Sequence, residues 1–140
     1  MTPRHVVFVC EHGAAKSVLA AIEFNRLAEA RGASMRAIAR GTAPDEVIAP
    51  VIVTRLARED VHLEGETPKA FASSELRGAA CVVTLDQPQV AAMIPNETPV
   101  ETWDGLPPVS SDFDRARQAI REKVEVLFDQ LARSEALDRP

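Results

Sequence analysis

The run His5-Val6-Val7-Phe8-Val9, ended by Cys10, constrains this chain more than any other stretch. It is β-branched and aromatic, with no polar alternation. Neither face of the strand it predicts can meet water, and such strands belong inside parallel sheets covered on both sides. Glu11 to Ala15 then form a short turn around Gly13. From residue 16 to 31, Ala20, Ala21, Phe24, Leu27 and Ala28 recur at helical spacing, and Gly32 supplies a stop. A buried strand, a tight loop and a helix open a unit whose sheet takes ligands at the carboxyl ends of its strands. Cys10 stands at such an end.

The rest of the chain repeats the alternation. Residues 35–39 predict a second strand and 41–45 a turn-rich loop, followed by a helix with Ile48, Val51, Val53, Leu56 and Ala57 as its apolar positions. Residues 70–76 read as a short helix or turn. Residues 80–85 form a third buried strand by composition, ended by Asp86 and Pro88. A short fourth strand is predicted over 99–103 and a loop over 104–111. The last helix has Asp112 as its N-cap and Phe113, Ala116, Ile120, Val124, Leu127, Phe128 and Leu131 as its apolar stripe. This order predicts the three-layer α/β class, a mostly parallel sheet with helices on both faces.

At 140 residues the chain has the length of one domain, expected to span 1–140, and it contains no repeat, low-complexity tract or Gly/Ser linker. No apolar run approaches the roughly 18 residues that span a bilayer, and the first ten residues are too short for a signal peptide, so the expected compartment is the cytoplasm. The two cysteines, Cys10 and Cys81, are too few for a four-cysteine zinc site and are expected to stay reduced there. The formal charge of −5 argues against nucleic acid or an acidic membrane surface as partner. It is unevenly spread: residues 1–58 carry 8 basic and 5 acidic side chains, residues 59–140 carry 8 and 16. An anion site is therefore expected in the first half.

The loop Cys10-Glu11-His12-Gly13-Ala14-Ala15-Lys16-Ser17 is where such a site falls. The positive end of the helix dipole and a cluster of backbone N–H groups suit a tetrahedral oxyanion, with Gly13 permitting the tight backbone. The same field favours a thiolate at Cys10, and Lys16 adds a positive charge. Plainer readings stand beside this one. Cys10 could be a small buried hydrophobe. Cys10, Glu11 and His12 could begin a metal site, but the other soft ligands, His5, His62 and Cys81, fall on separate elements. G-A-A-K-S matches the end of a nucleotide-binding loop whose first glycine is missing. His12 is either a proton donor or an exposed loop residue. Cys81 reads as core, Trp103 either as a wall of the site mouth or as a half-buried aromatic, and Thr42 as a neighbour of the pocket. Asp104, Asp112 and Asp114 are candidate acids that also suit turn, cap and first-turn positions.

C-x5-K-S at 10–17 resembles the C-x5-R-S loop of the low-molecular-weight protein tyrosine phosphatases and of their relatives, the thioredoxin-linked arsenate reductases. A-R-G-T-A-P from Ala39, E-T-P-K from Glu66 and C-V-V-T-L-D over 81–86 resemble further segments of that family. The resemblance implies a four-stranded parallel sheet of flavodoxin-like topology and a cysteinyl-phosphate intermediate. It makes Cys10 the nucleophile, puts Lys16 in the place of the phosphate-gripping arginine and has Ser17 assist the thiolate. Glu11, His12, Gly13, Ala14, Ala15 and Lys16 become the oxyanion-binding loop. The family's Asp-Pro acid is absent from W-D-G-L-P-P-V-S, which leaves Asp104 as the nearest substitute. Asp86 and Gln87 stand where the reductases carry redox cysteines. The implied ligand is phosphate, arsenate or a phosphorylated substrate, with no metal or cofactor, and a homodimer is left open. Three activities fit: phosphate monoester hydrolysis, arsenate reduction with an external thiol, and oxyanion binding without turnover.

Overall fold

The computed structural model describes residues 5–138. Its two strands without a polar face, β1 (His5–Cys10) and β3 (Cys81–Leu85), lie side by side at the centre of a sheet. The strands that carry charges, β2 (Arg36–Gly41) and β4 (Val100–Trp103), flank them. The order is β2-β1-β3-β4 and every pairing is parallel. Position in the sheet accounts for composition: β1 and β3 are buried almost throughout, whereas the edge strands show partly exposed side chains.

The pleat sends alternate residues of β1 to opposite layers. Val6, Phe8 and Cys10 join the larger core, formed with helices α1 (Lys16–Ala30), α2 (Pro50–Ala57) and α4 (Phe113–Asp138). Val7 and Val9 join a smaller one on the other face, with Leu76 of α3 (Ser73–Arg77) and with Val90 and Ile94 around a 3₁₀ segment, Pro88–Met93. The three-layer α/β architecture is thus as expected. On the larger side Phe8 packs on Phe24 and Trp103, and Phe24 on Phe128, with ring centroids 5.5–6.2 Å apart. Among the described residues, no helix is long and apolar enough to cross a membrane.

Element ends differ from the sequence reading for local reasons. β2 runs on to Gly41, because that residue pairs with Cys10, while Met35 is buried ahead of the strand. Pro50 opens α2, so Ile48 enters the core from the preceding loop. Asp112 does give α4 its first carbonyl, accepting the Ala116 N–H, but its carboxylate bonds Arg115. The 3₁₀ segment after β3 was not foreseen.

Candidate functional site

β1 delivers Cys10 to the carboxyl edge of the sheet, from which the chain must turn sharply into α1. Gly13 makes that turn at φ +61°, where a side chain would be strained. It turns against Gly41: a Cβ on Gly13 would lie 2.9 Å from the Gly41 nitrogen, and one on Gly41 would lie 2.7 Å from the Gly13 nitrogen. Both positions therefore require glycine. The segment after β2 then braces the loop from outside. N–H groups of Thr42, Ala43, Asp45 and Ala49 donate to the carbonyls of Cys10, Glu11, His12 and Ala14 at 2.7–3.0 Å. In a trans peptide the N–H points opposite to the C=O, so the amides following Cys10, Glu11, His12 and Ala14 point away from the brace. Gly41 is fixed in turn by the Lys69 carbonyl, which ties the E-T-P-K segment to the site.

Cys10 is 6% exposed. Its Sγ accepts the Gly13 N–H at 3.2 Å and lies 3.0 Å from Oγ of the fully buried Ser17. Two groups able to donate thus orient the sulfur. α1 begins at Lys16 with Ala15 as N-cap and no side-chain cap, which leaves its first N–H groups without partners inside the helix. These features meet in a cleft of about 380 Å³. Cys10 and residues 14–16 line it with Asp45 on one side, residues 85–87 at the end of β3 on another and residues 108–110 on a third. Among the described residues its lining includes no phenylalanine or tryptophan, and His12 supplies its one aromatic ring.

Lys16 reaches across this cleft. Its Nζ donates to Asp86 Oδ2 at 2.6 Å, and Asp86 Oδ1 accepts the Gly105 N–H at 2.6 Å. Asp86 itself sits at φ +57°. At the mouth, half-exposed His12 places Nδ1 3.1 Å from Asp45 Oδ1 and Nε2 3.6 Å from a Glu11 oxygen.

Cys10, Glu11, His12, Ala14, Ala15, Lys16 and Ser17 are therefore brought together, with Gly13 behind the cleft rather than lining it. Asp104 is not. β4 ends with Trp103 turned into the core, Asp104 follows exposed, and the chain returns to the cleft only at residues 108–110. Asp114 pairs with Arg55 on the surface. Trp103 is core, 3% exposed, not part of the mouth. Cys81 is core as well, its thiol pushed up to about 12 by burial. Thr42 does border the loop, with Oγ1 3.3 Å from Gln87 Oε1. Among the described residues no three His, Cys, Asp or Glu side chains are grouped to hold a metal ion. The residue whose role sequence reasoning passed over is Asp86, read as the end of a strand and as standing where the reductases carry redox cysteines, but not as a partner of Lys16. Its place at the carboxyl end of a buried parallel strand was the available signal.

The model of the family described as low molecular weight phosphotyrosine protein phosphatase matches residues 5–137. No curated protein is matched by the sequence. Among solved structures, YfkJ from Bacillus subtilis superposes with a TM-score of 0.80 at 17% identity, over 96% of this chain and 98% of that one. A low molecular weight protein tyrosine phosphatase from T. tengcongensis gives 0.78 at 18% identity, over 91% and 99%. A thioredoxin-dependent arsenate reductase from Corynebacterium glutamicum gives 0.76 at 21%, over 96% of this chain; the chain spans 64% of that protein's length. Identities this low carry the fold, while the family model carries the membership: the chain belongs to the low molecular weight phosphotyrosine protein phosphatase family.

Proposed function

We propose that the chain hydrolyses phosphate monoesters through Cys10. The observation that carries this reading is the sulfur itself, held by Ser17 and the Gly13 amide at the floor of a cleft and beside an uncapped helix start. Cys10 attacks phosphorus, the bond to the ester oxygen breaks, and loop N–H groups with Lys16 stabilise the oxyanion. Water then hydrolyses the thiophosphate, releasing phosphate and restoring the thiol. Lys16 contributes charge but not the bidentate fork of an arginine. The expected outcome is slow turnover of an aryl phosphate that Cys10→Ser abolishes; unchanged turnover in that variant overturns the reading.

The leaving-group acid in this proposal is Asp104, which lies exposed outside the cleft and acts only if the 104–111 loop carries it to the ester oxygen. Asp104→Asn should then slow esters with poor leaving groups and spare those with good ones. Equal rates for both classes would remove Asp104 from the mechanism.

A second reading is arsenate reduction, and the position of Cys81 limits it to external thiols. Cys81 pairs in register with Val6, at the opposite end of β1 from Cys10, and the chain has no third cysteine. If arsenate is the substrate, the reducing thiols must come from outside. One forms a mixed disulfide with Cys10 as arsenic leaves two electrons richer, as arsenite, and a second restores the Cys10 thiol. Arsenite produced only with added thiol would favour this reading over hydrolysis.

A further inference from the structure

Lys16 is the only lysine or arginine among the described residues lining the cleft, and it is already paired. Its ammonium lies 2.6 Å from Asp86 Oδ2, with the two side chains 24% and 32% exposed, so solvent screens the pair only in part. Asp86 is also held in place. Its other oxygen takes the Gly105 N–H, and its backbone occupies the left-handed region. Glu11 and Asp45 line the same cleft, so three carboxylates face one lysine there. An oxyanion that enters must draw Lys16 from a fixed partner and then sit beside that partner's bare charge.

Resting on the oxyanion reading above, we propose that Asp86 is a built-in competitor for Lys16 that sets how weakly the cleft holds an oxyanion. An arginine's planar fork could serve a carboxylate and an oxyanion together, whereas a lysine is a compact point charge whose attraction the two must share. Asp86 therefore lowers affinity twice, by neutralising the cation and by repelling the ligand.

Asp86→Asn isolates this effect. Asparagine tolerates the left-handed backbone and keeps an oxygen for the Gly105 N–H while losing the charge. Inorganic phosphate is the probe, its dissociation constant measured by calorimetry. Its place is read from protection of Cys10 against iodoacetamide, which the buried thiol of Cys81, pushed up to about 12, does not confuse. Asp86→Asn should bind phosphate roughly tenfold more tightly than the natural chain. Lys16→Met should cost more affinity in the Asp86→Asn background than alone, because only there is the ammonium free. Asp86→Gly, which also fits the backbone, should show a gain of the same sign if the asparagine variant fails to fold. Equal or weaker binding in these variants, with phosphate still protecting Cys10, overturns the competitor role alone and leaves Asp86 as a support for Lys16. Absence of phosphate binding and of protection in every protein overturns the oxyanion reading, and the competitor role with it.

Discussion

Gly13 and Gly41 meet backbone to backbone, and that contact places the whole loop from Cys10 to Ser17. An added Cβ at Gly41 would meet the Gly13 nitrogen at 2.7 Å and the Glu11 carbonyl oxygen at 3.0 Å, backbone atoms that cannot rotate aside. Gly41→Ala is therefore expected to cost about 2 kcal/mol or more and to disturb Cys10. Gly32 is the useful contrast. It also has a positive φ, +67°, but nothing lies within 4 Å of its added Cβ, so Gly32→Ala should cost only the backbone strain of about 1 kcal/mol. Urea unfolding of both variants, with the rate of Cys10 alkylation alongside, checks the pair; equal costs and an undisturbed Cys10 would show that the loop absorbs the clash. The left-handed turn at Gly13 was legible because its cause is local, a strand that must enter a helix within a few residues. Gly41 as its partner was not, since that contact depends on how β2 pairs with β1. Asp86 escaped for the same reason: Lys16 and Asp86 are seventy residues apart, and only the sheet brings them together.

The strands show where sequence carries most and least. β1 and β3 were legible as buried because their apolar runs leave no face for water, and the structure puts both at the centre. β3 breaks its own pattern at Thr84, which is fully buried and whose Oγ1 has no hydrogen-bond partner among the described residues. A hydroxyl taken from water without compensation opposes folding. Valine matches its shape on a strand where β-branching is favoured, so Thr84→Val is expected to stabilise the protein by about 1 kcal/mol. A denaturant midpoint that rises without a change in slope would show this; a fall would mean that the hydroxyl is satisfied in solution. The 3₁₀ segment lay beyond sequence reading for the opposite reason. Pro88–Met93 is a six-residue segment whose composition suits loop as well as helix, and its shape follows from Val90 and Ile94 docking on the smaller core. The loop after β4 was likewise legible as a loop, but its path was not. Gly105 is bound to Asp86, and the stretch meets the cleft through residues 108–110 rather than through Asp104.

Across the whole molecule, the larger core is closed at its rim by ion pairs that join helices far apart in sequence. Arg121 of α4 bonds Glu23 of α1 at 2.5 Å, while Glu59, just beyond α2, accepts from Arg26 of α1 and Arg117 of α4. One carboxylate thus bridges the three helices that cover the face of the sheet bearing Cys10. Burial alone would raise the Glu59 carboxyl, but hydrogen bonds from Arg117 and Arg26 outweigh it and hold the group below its ordinary value near 4.5. A carboxyl that binds its proton less readily when folded adds stability above its unfolded value, and that contribution disappears as pH falls through the lower folded one. Glu59 is partly exposed, so solvent tempers the effect, and Glu59→Gln is expected to cost about 1 kcal/mol at pH 7. The stability gap between the natural chain and Glu59→Gln should stay constant from neutral pH down to the ordinary carboxylate range. Below that range it should narrow as the natural chain takes up the proton that glutamine makes irrelevant. Urea unfolding of both proteins across that range is the measurement. A gap that persists in acid would mean that glutamine disturbs the packing of α1, α2 and α4 themselves, and that the bridge acts through shape rather than charge.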